Sequence, residues 1–287
     1  MLKNTFCHIQ GLGLRSERRL WSRGVLSWDA FLDGADEPHA RPNMPASKAQ
    51  VLESIKRLEA GEPSFFARSL PAGECWRLFA EFRSSTAYLD IETNGYAGPS
   101  GYITAITLYD GVKVYNYVKG RNLNDFKRDI RRYKVVVTYN GRCFDVPFIE
   151  RDFRIRMPHA HIDLRYILKD LGFTGGLKGC EKQLGIDRKE LNGVDGYFAV
   201  LLWQDFKRNR NEKSLATLLA YNVQDVVNLE PLMVAAYNMK LKATPFRSSH
   251  ALSPSACPEL PFKADTDTIN RILHENQRFY PQLSPRP

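Results

Sequence analysis

Residues 86–93, TAYLDIET, place two acids in the second half of a hydrophobic strand. Asp90 and Glu92 are two positions apart, so on a strand both side chains leave from the same face. Two like charges side by side at the end of a buried segment are costly without a partner. Whatever the chain folds into must supply that partner, and no other segment constrains the fold as much.

The residues that follow alternate between two periodicities. YITAITLYDG and VKVYNYVKG read as paired strands, with Asp110-Gly111 as a hairpin turn. LNDFKRDIRRY reads as a helix with a basic face and KVVVTYNG as a short buried strand. DVPFIERDF reads as a helix that tolerates Pro147 in its first turn. HIDLRYIL comes next, then GLKGCEKQLGI as a helix. SLATLLAYNVQDVVNLEPLMVAAYNM carries helical spacing through Leu215, Leu218, Leu219, Asn222, Val226 and Leu229, and Pro231 is expected to kink or break it. Antiparallel early strands followed by alternating helix and strand predict an α/β fold, a mixed sheet with helices on both faces.

That region spans residues 84–243. Residues 1–83 are mostly helical in pattern, interrupted by EPHARPNMPAS. Residues 244–287 hold seven of the sixteen prolines and read as an irregular tail with one short helix. With 287 residues, 43% of them hydrophobic and 25% charged, the chain has material for a proper core. Its net charge of +9 favours a polyanionic partner. The five cysteines form no C-x-x-C pair, which argues against structural zinc and for reduced thiols. The first residues lack an apolar signal core, and no segment approaches the ~18 apolar residues of a membrane span. The expectation is a cytoplasmic protein with no membrane partner.

Two further acids are placed to join Asp90 and Glu92. Asp145 lies just past the KVVVTYNG strand at the start of a helix, where it can also serve as the N-cap. Asp225 lies on the long helix, with Tyr221 one turn earlier on the same face. Four converging carboxylates would be intolerable without cations, and hard oxygen ligands suit magnesium or manganese. Two such ions a few ångströms apart are a recurring device for phosphodiester cleavage. Read separately, the strand pair could be a solvated strand end, Asp145 a helix cap, and Tyr221 with Asp225 a surface pair. Taken jointly, those readings require several coincidences. His161 and Asp163 stay outside the primary set. His161 reads as a core residue, and Asp163 as a supporting group or a fifth carboxylate. Gly175-Gly176-x-x-x-Gly179 lacks the Lys-Ser/Thr of a phosphate loop and reads as a turn into a helix.

Three motifs, in order, carry a resemblance. Asp90-Ile-Glu92-Thr93 resembles the first motif of the DEDD exonuclease superfamily. Tyr139-Asn140-Gly141-x-x-Phe144-Asp145-x-Pro147-Phe148 resembles the second, in the form found in proofreading domains of family B DNA polymerases. Tyr221-x-x-x-Asp225 resembles the third in its tyrosine subtype; the histidine subtype would have His where this chain has Ala220. His161-Ile-Asp163-Leu164 and Gly176-Leu177-Lys178-x-x-Glu181-x-x-Leu184-Gly185-Ile186 are similar to segments of prokaryotic stand-alone ribonuclease H-like domain proteins.

The resemblance covers roughly residues 84–240. It implies a ribonuclease H-like mixed five-stranded sheet flanked by helices, preceded by a small, mostly helical region. It also implies a metal-dependent 3′–5′ exonuclease that uses two Mg²⁺ or Mn²⁺ ions and releases 5′-monophosphates. Asp90 would bridge both metals, Glu92 and Asp225 would complete the site that activates water, and Asp145 would hold the second metal. Tyr221 would orient the attacking water. Thr93, Asn140 and Phe144 would meet the substrate, Asn by hydrogen bond and Phe by stacking or wedging. DNA is favoured, as single strands or frayed ends. An RNase or a structure-specific endonuclease of the same fold is the near alternative, and a non-catalytic nucleic-acid-binding adaptor the alternative of a different class.

Two other features bear on nucleic acid. Gly11-Leu12-Gly13 before a short helix resembles the hairpin of helix-hairpin-helix modules, with Arg15, Arg18, Arg19 and Arg23 adding charge. The competing reading is a helical cap that packs Leu20, Trp21 and Trp28 on the main body. Basic runs at Lys127, Arg128, Arg131, Arg132 and Lys134, and at Lys207, Arg208, Arg210 and Lys213, are solvated faces or, near a nuclease site, a phosphate-tracking groove.

Overall fold

A computed structural model describes residues 1–34, 44–186 and 196–279. Most of EPHARPNMPAS and the last eight residues lie outside them. Among the described residues, the chain opens with a 3₁₀ turn (Leu2–Asn4) and the helices α1 (Leu14–Ser22), α2 (Trp28–Asp33), α3 (Met44–Glu59) and α4 (Pro63–Ser69). A 3₁₀ segment and the one-turn α5 (Phe79–Phe82) lead into the sheet. The strands are β1 (Thr86–Thr93), β2 (Ile103–Tyr109), β3 (Val114–Val118), β4 (Val135–Thr138) and β5 (Ala160–Asp163), with the one-turn α6 (Phe126–Asp129) before β4 and α7 (Asp145–Phe153) after it. The chain then runs through α8 (Leu164–Asp170), α9 (Gly176–Gln183), α10 (Gly196–Asn209), α11 (Glu212–Leu241) and α12 (Thr266–Phe279).

The five strands form one mixed sheet in the order β3-β2-β1-β4-β5. β1 is antiparallel to β2 and parallel to β4, and β4 is parallel to β5. This is the expected ribonuclease H-like sheet with helices on both faces. Side chains of β1 divide by parity. Ala87, Leu89 and Ile91 enter the core that also holds Phe126 and Ile149 of the α6–α7 side. Tyr88 enters the core shared with Val223, Val226 and Val227 of α11. Asp90 and Glu92 have the parity of Tyr88, so they face α11 where the strand emerges.

The N-terminal helices are continuous with that second core. Leu2, Phe6, Trp28, Phe66 and Trp76 pack in one cluster with residues of β4, β5, α8 and α11. Trp76 meets Tyr237 of α11 edge to face, with ring centroids 5.3 Å apart. Arg77 is buried there because its charge is answered, by Glu17 at 2.9 Å and Glu74 at 2.7 Å. Gly11-Leu12-Gly13 does lead into α1, with Gly13 as its N-cap, but the segment before it is a 3₁₀ turn and irregular chain rather than a helix.

Two sequence expectations change. Pro231 does not break the long helix: α11 runs unbroken from Glu212 to Leu241. Proline removes one backbone hydrogen bond, but Leu229, Leu232, Met233 and Val234 around it are all buried, and that packing holds the helix together. LNDFKRDIRRY is not one helix but three short turns, 123–125, 126–129 and 130–132, pinned by Phe126 and Ile130 in the core. The Pro-rich segment after α11 folds back on it. Ser255 N–H donates to the buried Glu230 carboxylate at 3.1 Å, and Asn238 brackets Leu252 through bonds of 2.8 and 2.9 Å. Among the described residues no helix is long and apolar enough to cross a membrane.

Candidate active site

The site is built where β1 outruns its neighbour. β4 pairs with β1 only from Thr86 to Tyr88, so the second half of β1 is open on that side. The Asp145 carboxylate fills part of the gap, its Oδ1 accepting the N–H of Ile91 at 3.0 Å. Asp145 is the first residue of α7, follows the β4 turn, and is only 2% exposed. The expected helix-capping role is not what its side chain does. Phe144 is the N-cap, without a side-chain cap, and the Asp145 carboxylate bonds across to β1 instead.

α11 supplies the opposite wall. Asn222, fully buried, donates from Nδ2 to Asp90 Oδ2 at 2.7 Å. Tyr221 is buried beside it, its ring edge to face with Phe198 of α10 at 6.4 Å. Asp225 lies one turn on and is half-buried, as are Asp90 and Glu92.

These four acids act on one another. Burial, then repulsion from Asp145, Glu92 and Asp225, holds the Asp90 carboxyl well above its ordinary range, with the Asn222 hydrogen bond opposing. Burial followed by Asp225 and Asp145 lifts Glu92 to about 8, and Lys178 of α9 opposes the rise. Burial, and to a smaller degree the charge of Asp163, lifts Asp145 to about 7 against the stabilising N–H of Ile91. The recess thus gathers negative charge that the protein itself only partly offsets. Among the described residues, no group of three or more His, Cys, Asp or Glu side chains stands ready to hold a metal ion. The donor chemistry still suits hard divalent cations. Magnesium keeps several waters and takes one or two carboxylates with substrate phosphates, rather than a dedicated protein cage.

The second-motif loop is held by Asp163, which the sequence reading set outside the site. Its carboxylate accepts the N–H groups of Asn140 at 2.7 Å, Arg142 at 3.0 Å and Arg165 at 3.1 Å. Asn140 adopts φ 68°, a left-handed conformation that Asn tolerates, and its side-chain oxygen accepts from Arg165. Gly141 has no substitute here, because a Cβ would lie 2.4 Å from Thr138 Oγ1. Phe144 projects beside the recess, 40% exposed, with its ring 4.9 Å from that of Phe148. Thr93 follows a bulge in the β1–β2 ladder, half-buried at the end of the strand. His161 is half-buried rather than a core residue: it lines a surface pocket, burial lowers it to about 4, and Nε2 meets Thr138 Oγ1 at 2.8 Å.

Asn222 is the supporting residue that sequence reasoning missed, whereas Asp163 takes the supporting role that was one of its two readings. Asn222 was visible only as a core position of the helix. Asp163 had a signal, since it stands at a strand–helix junction where Asp caps the next helix, and it does so through Arg165 N–H.

Residues 87–237 match the RNase_H superfamily. That span exceeds half of the chain, so the chain belongs to the RNase H superfamily, whose members are usually nucleases. The family B DNA polymerase from the hyperthermophilic archaeon Pyrobaculum calidifontis matches with a TM-score of 0.42 and 18% sequence identity. That match covers 58% of this chain and 27% of the polymerase chain. No curated protein matches.

Proposed function

We propose that this protein is a metal-dependent 3′–5′ exonuclease of the DEDD class, tyrosine subtype, acting on single-stranded DNA or frayed 3′ ends. The observation that carries the reading is geometric: the Asp145 carboxylate bonds the backbone between Asp90 and Glu92 at 3.0 Å, and Asn222, on the helix that also carries Tyr221 and Asp225, bonds Asp90 at 2.7 Å. Asp90, Glu92, Asp145 and Asp225 would hold two Mg²⁺ or Mn²⁺ ions. Bound there, the ions would supply charge to the scissile phosphate and make a water acidic enough to attack at neutral pH.

The chain's own groups do the rest. Asn222 fixes the Asp90 carboxylate, and the Ile91 N–H fixes that of Asp145. Tyr221 positions the attacking water through its hydroxyl. The loop braced by Asp163 presents Asn140 and Phe144 to the terminal nucleotides.

The test is hydrolysis of 5′-labelled single-stranded DNA with Mg²⁺ or Mn²⁺, with Asp90→Ala in parallel and an RNA of the same sequence beside it. A ladder shortening from the 3′ end, at least about 10³-fold weaker in the variant, is expected. Equal cleavage by the variant, or none by the wild type, overturns the reading, and cleavage of a circular single strand replaces it with an endonuclease.

A further inference from the structure

The first basic run does not lie beside the carboxylates. Lys134 immediately precedes β4 and Pro158-His159 precede β5, so these residues sit at the amino ends of the parallel strands. Asp90 and Glu92 lie towards the carboxyl end of β1. There, α4 and the turn before it face the sheet across a cleft of about 750 Å³. Its walls carry Arg68, Lys127, Arg131, Lys134, Arg154 and Arg156. Among the described residues the lining holds one acid, Glu62, and it is engaged by Arg57 at 2.8 Å. Among the described residues, Arg68, Arg131 and Arg154 are exposed and make no ion pair. Arg154 follows the C-terminus of α7, where a cation is favoured by the helix dipole, Arg156 reaches Glu150 at 4.0 Å, Lys134 Nζ donates to the Gly61 carbonyl at 2.7 Å and Lys127 lies over the Phe153 ring, which leaves Arg68 and Arg131 with no such local role. Ser64 Oγ donates to the Pro158 carbonyl at 2.9 Å, so the N-terminal region is fastened as one wall of the cleft.

We propose that this cleft is a second nucleic-acid site, which grips the phosphate backbone of the substrate strand at a distance from the carboxylates. Concentrated like charge repels itself and is relieved by a polyanion that releases its counterions on binding. A concave channel suits a strand better than a flat anionic surface does. The aromatic groups in the lining are already engaged. Tyr133 bonds Asp110 through its hydroxyl at 3.2 Å, and Phe65 packs on Phe66 with centroids 5.1 Å apart. Contact is therefore with phosphates rather than stacked bases, and independent of sequence. β4 alone spans four residues, about 13 Å at ~3.3 Å per residue. A strand serving both ends of the sheet needs more than roughly four nucleotides at ~3.4 Å each. The nature of the polymer rests on the nuclease reading; the charge geometry does not.

The test is binding of a labelled single-stranded DNA 20-mer to the full chain in EDTA across a salt series, for the wild type and for Arg131→Glu combined with Arg154→Glu. Both side chains are exposed, so folding is preserved, which a melting curve checks. The expected result is at least tenfold weaker binding and a log K against log salt slope shallower by about 1.4, for two lost single-strand contacts. Trinucleotide hydrolysis should be unchanged while turnover of dilute 20-mer falls. An unchanged Kd and salt slope overturn the proposal, as does a wild type that binds anionic vesicles but no oligonucleotide. Because binding is read without divalent ions, a protein that binds through Arg131 and Arg154 yet cleaves nothing would refute the nuclease reading and leave this one standing.

Discussion

The Asp145 carboxylate accepts the N–H of Ile91, the residue between Asp90 and Glu92, at 3.0 Å. One side chain therefore completes the backbone of the strand that carries its neighbours. Asp145→Ala leaves a buried donor unsatisfied and should cost about 1–3 kcal/mol. Asp145→Asn keeps a carbonyl oxygen at that position and should cost less than about 1 kcal/mol. Both should lose at least about 100-fold in hydrolysis if the acid serves the reaction. Urea denaturation beside a nuclease assay separates the two effects, and equal stability of the two variants would count against the strand-bridging role.

Asn222 orients Asp90 from a fully buried position on α11. Asn222→Ala should lower activity about 10- to 100-fold, and raise the Mn²⁺ concentration needed for half-maximal activity by a similar factor. A purely structural role would reduce the amount of folded protein without moving that metal midpoint.

The raised carboxyls make stability depend on pH in a defined direction. An acid whose folded pKa lies above its unfolded one binds more protons when folded, so stability falls as pH rises between the two values. For Asp145 that window runs from 3.8 to about 7, and for Glu92 from 4.5 to about 8. Without divalent ions the protein should melt at a lower temperature at pH 8.5 than at pH 5.5. Asp90→Asn should raise the Tm at the higher pH by removing one of the repelling charges. Mn²⁺ should stabilise the wild type more at pH 8.5 than at pH 5.5. Scanning calorimetry with and without EDTA measures each, and a flat Tm across this range would contradict the coupling.

Phe144 stands 40% exposed at the rim of the recess. Phe144→Ala should leave the Tm within about 1 °C, because little core is lost. It should raise KM for single-stranded DNA about tenfold or more, the stacking of one base being worth about 1–3 kcal/mol. An unchanged KM would assign the terminal nucleotide to another surface.

The elements that sequence read well are those whose signal is local. TAYLDIET has the bounds of β1, Asp110-Gly111 marks the β2–β3 turn, and DVPFIERDF is α7. The four acids could be nominated because each sits at an identifiable element end or helix face. What escaped depends on contacts distant in sequence. Pro231 argued for a break, but burial on both sides of it overrode backbone preference. Asn222 looked like a core position until its partner, Asp90, was placed opposite. The sequence presents Lys127, Arg131 and Lys134 as one basic run, a solvated face or, with a nuclease site nearby, a phosphate-tracking groove. Only the order of the sheet shows that they join Arg68 and Arg154 at its other end.

The recess draws on β1, α7 and α11, and its internal brace joins residues 132 positions apart. Pairing so distant in sequence forms late, after the entropy of closing the intervening chain has been met. A nascent or truncated chain that ends before α11 carries Asp90 and Glu92 but neither Asn222 nor Asp225. Such a fragment lacks a wall of the recess, so hydrolytic capacity and completed folding would arrive together, and a partly made chain would be harmless to the polymers around it.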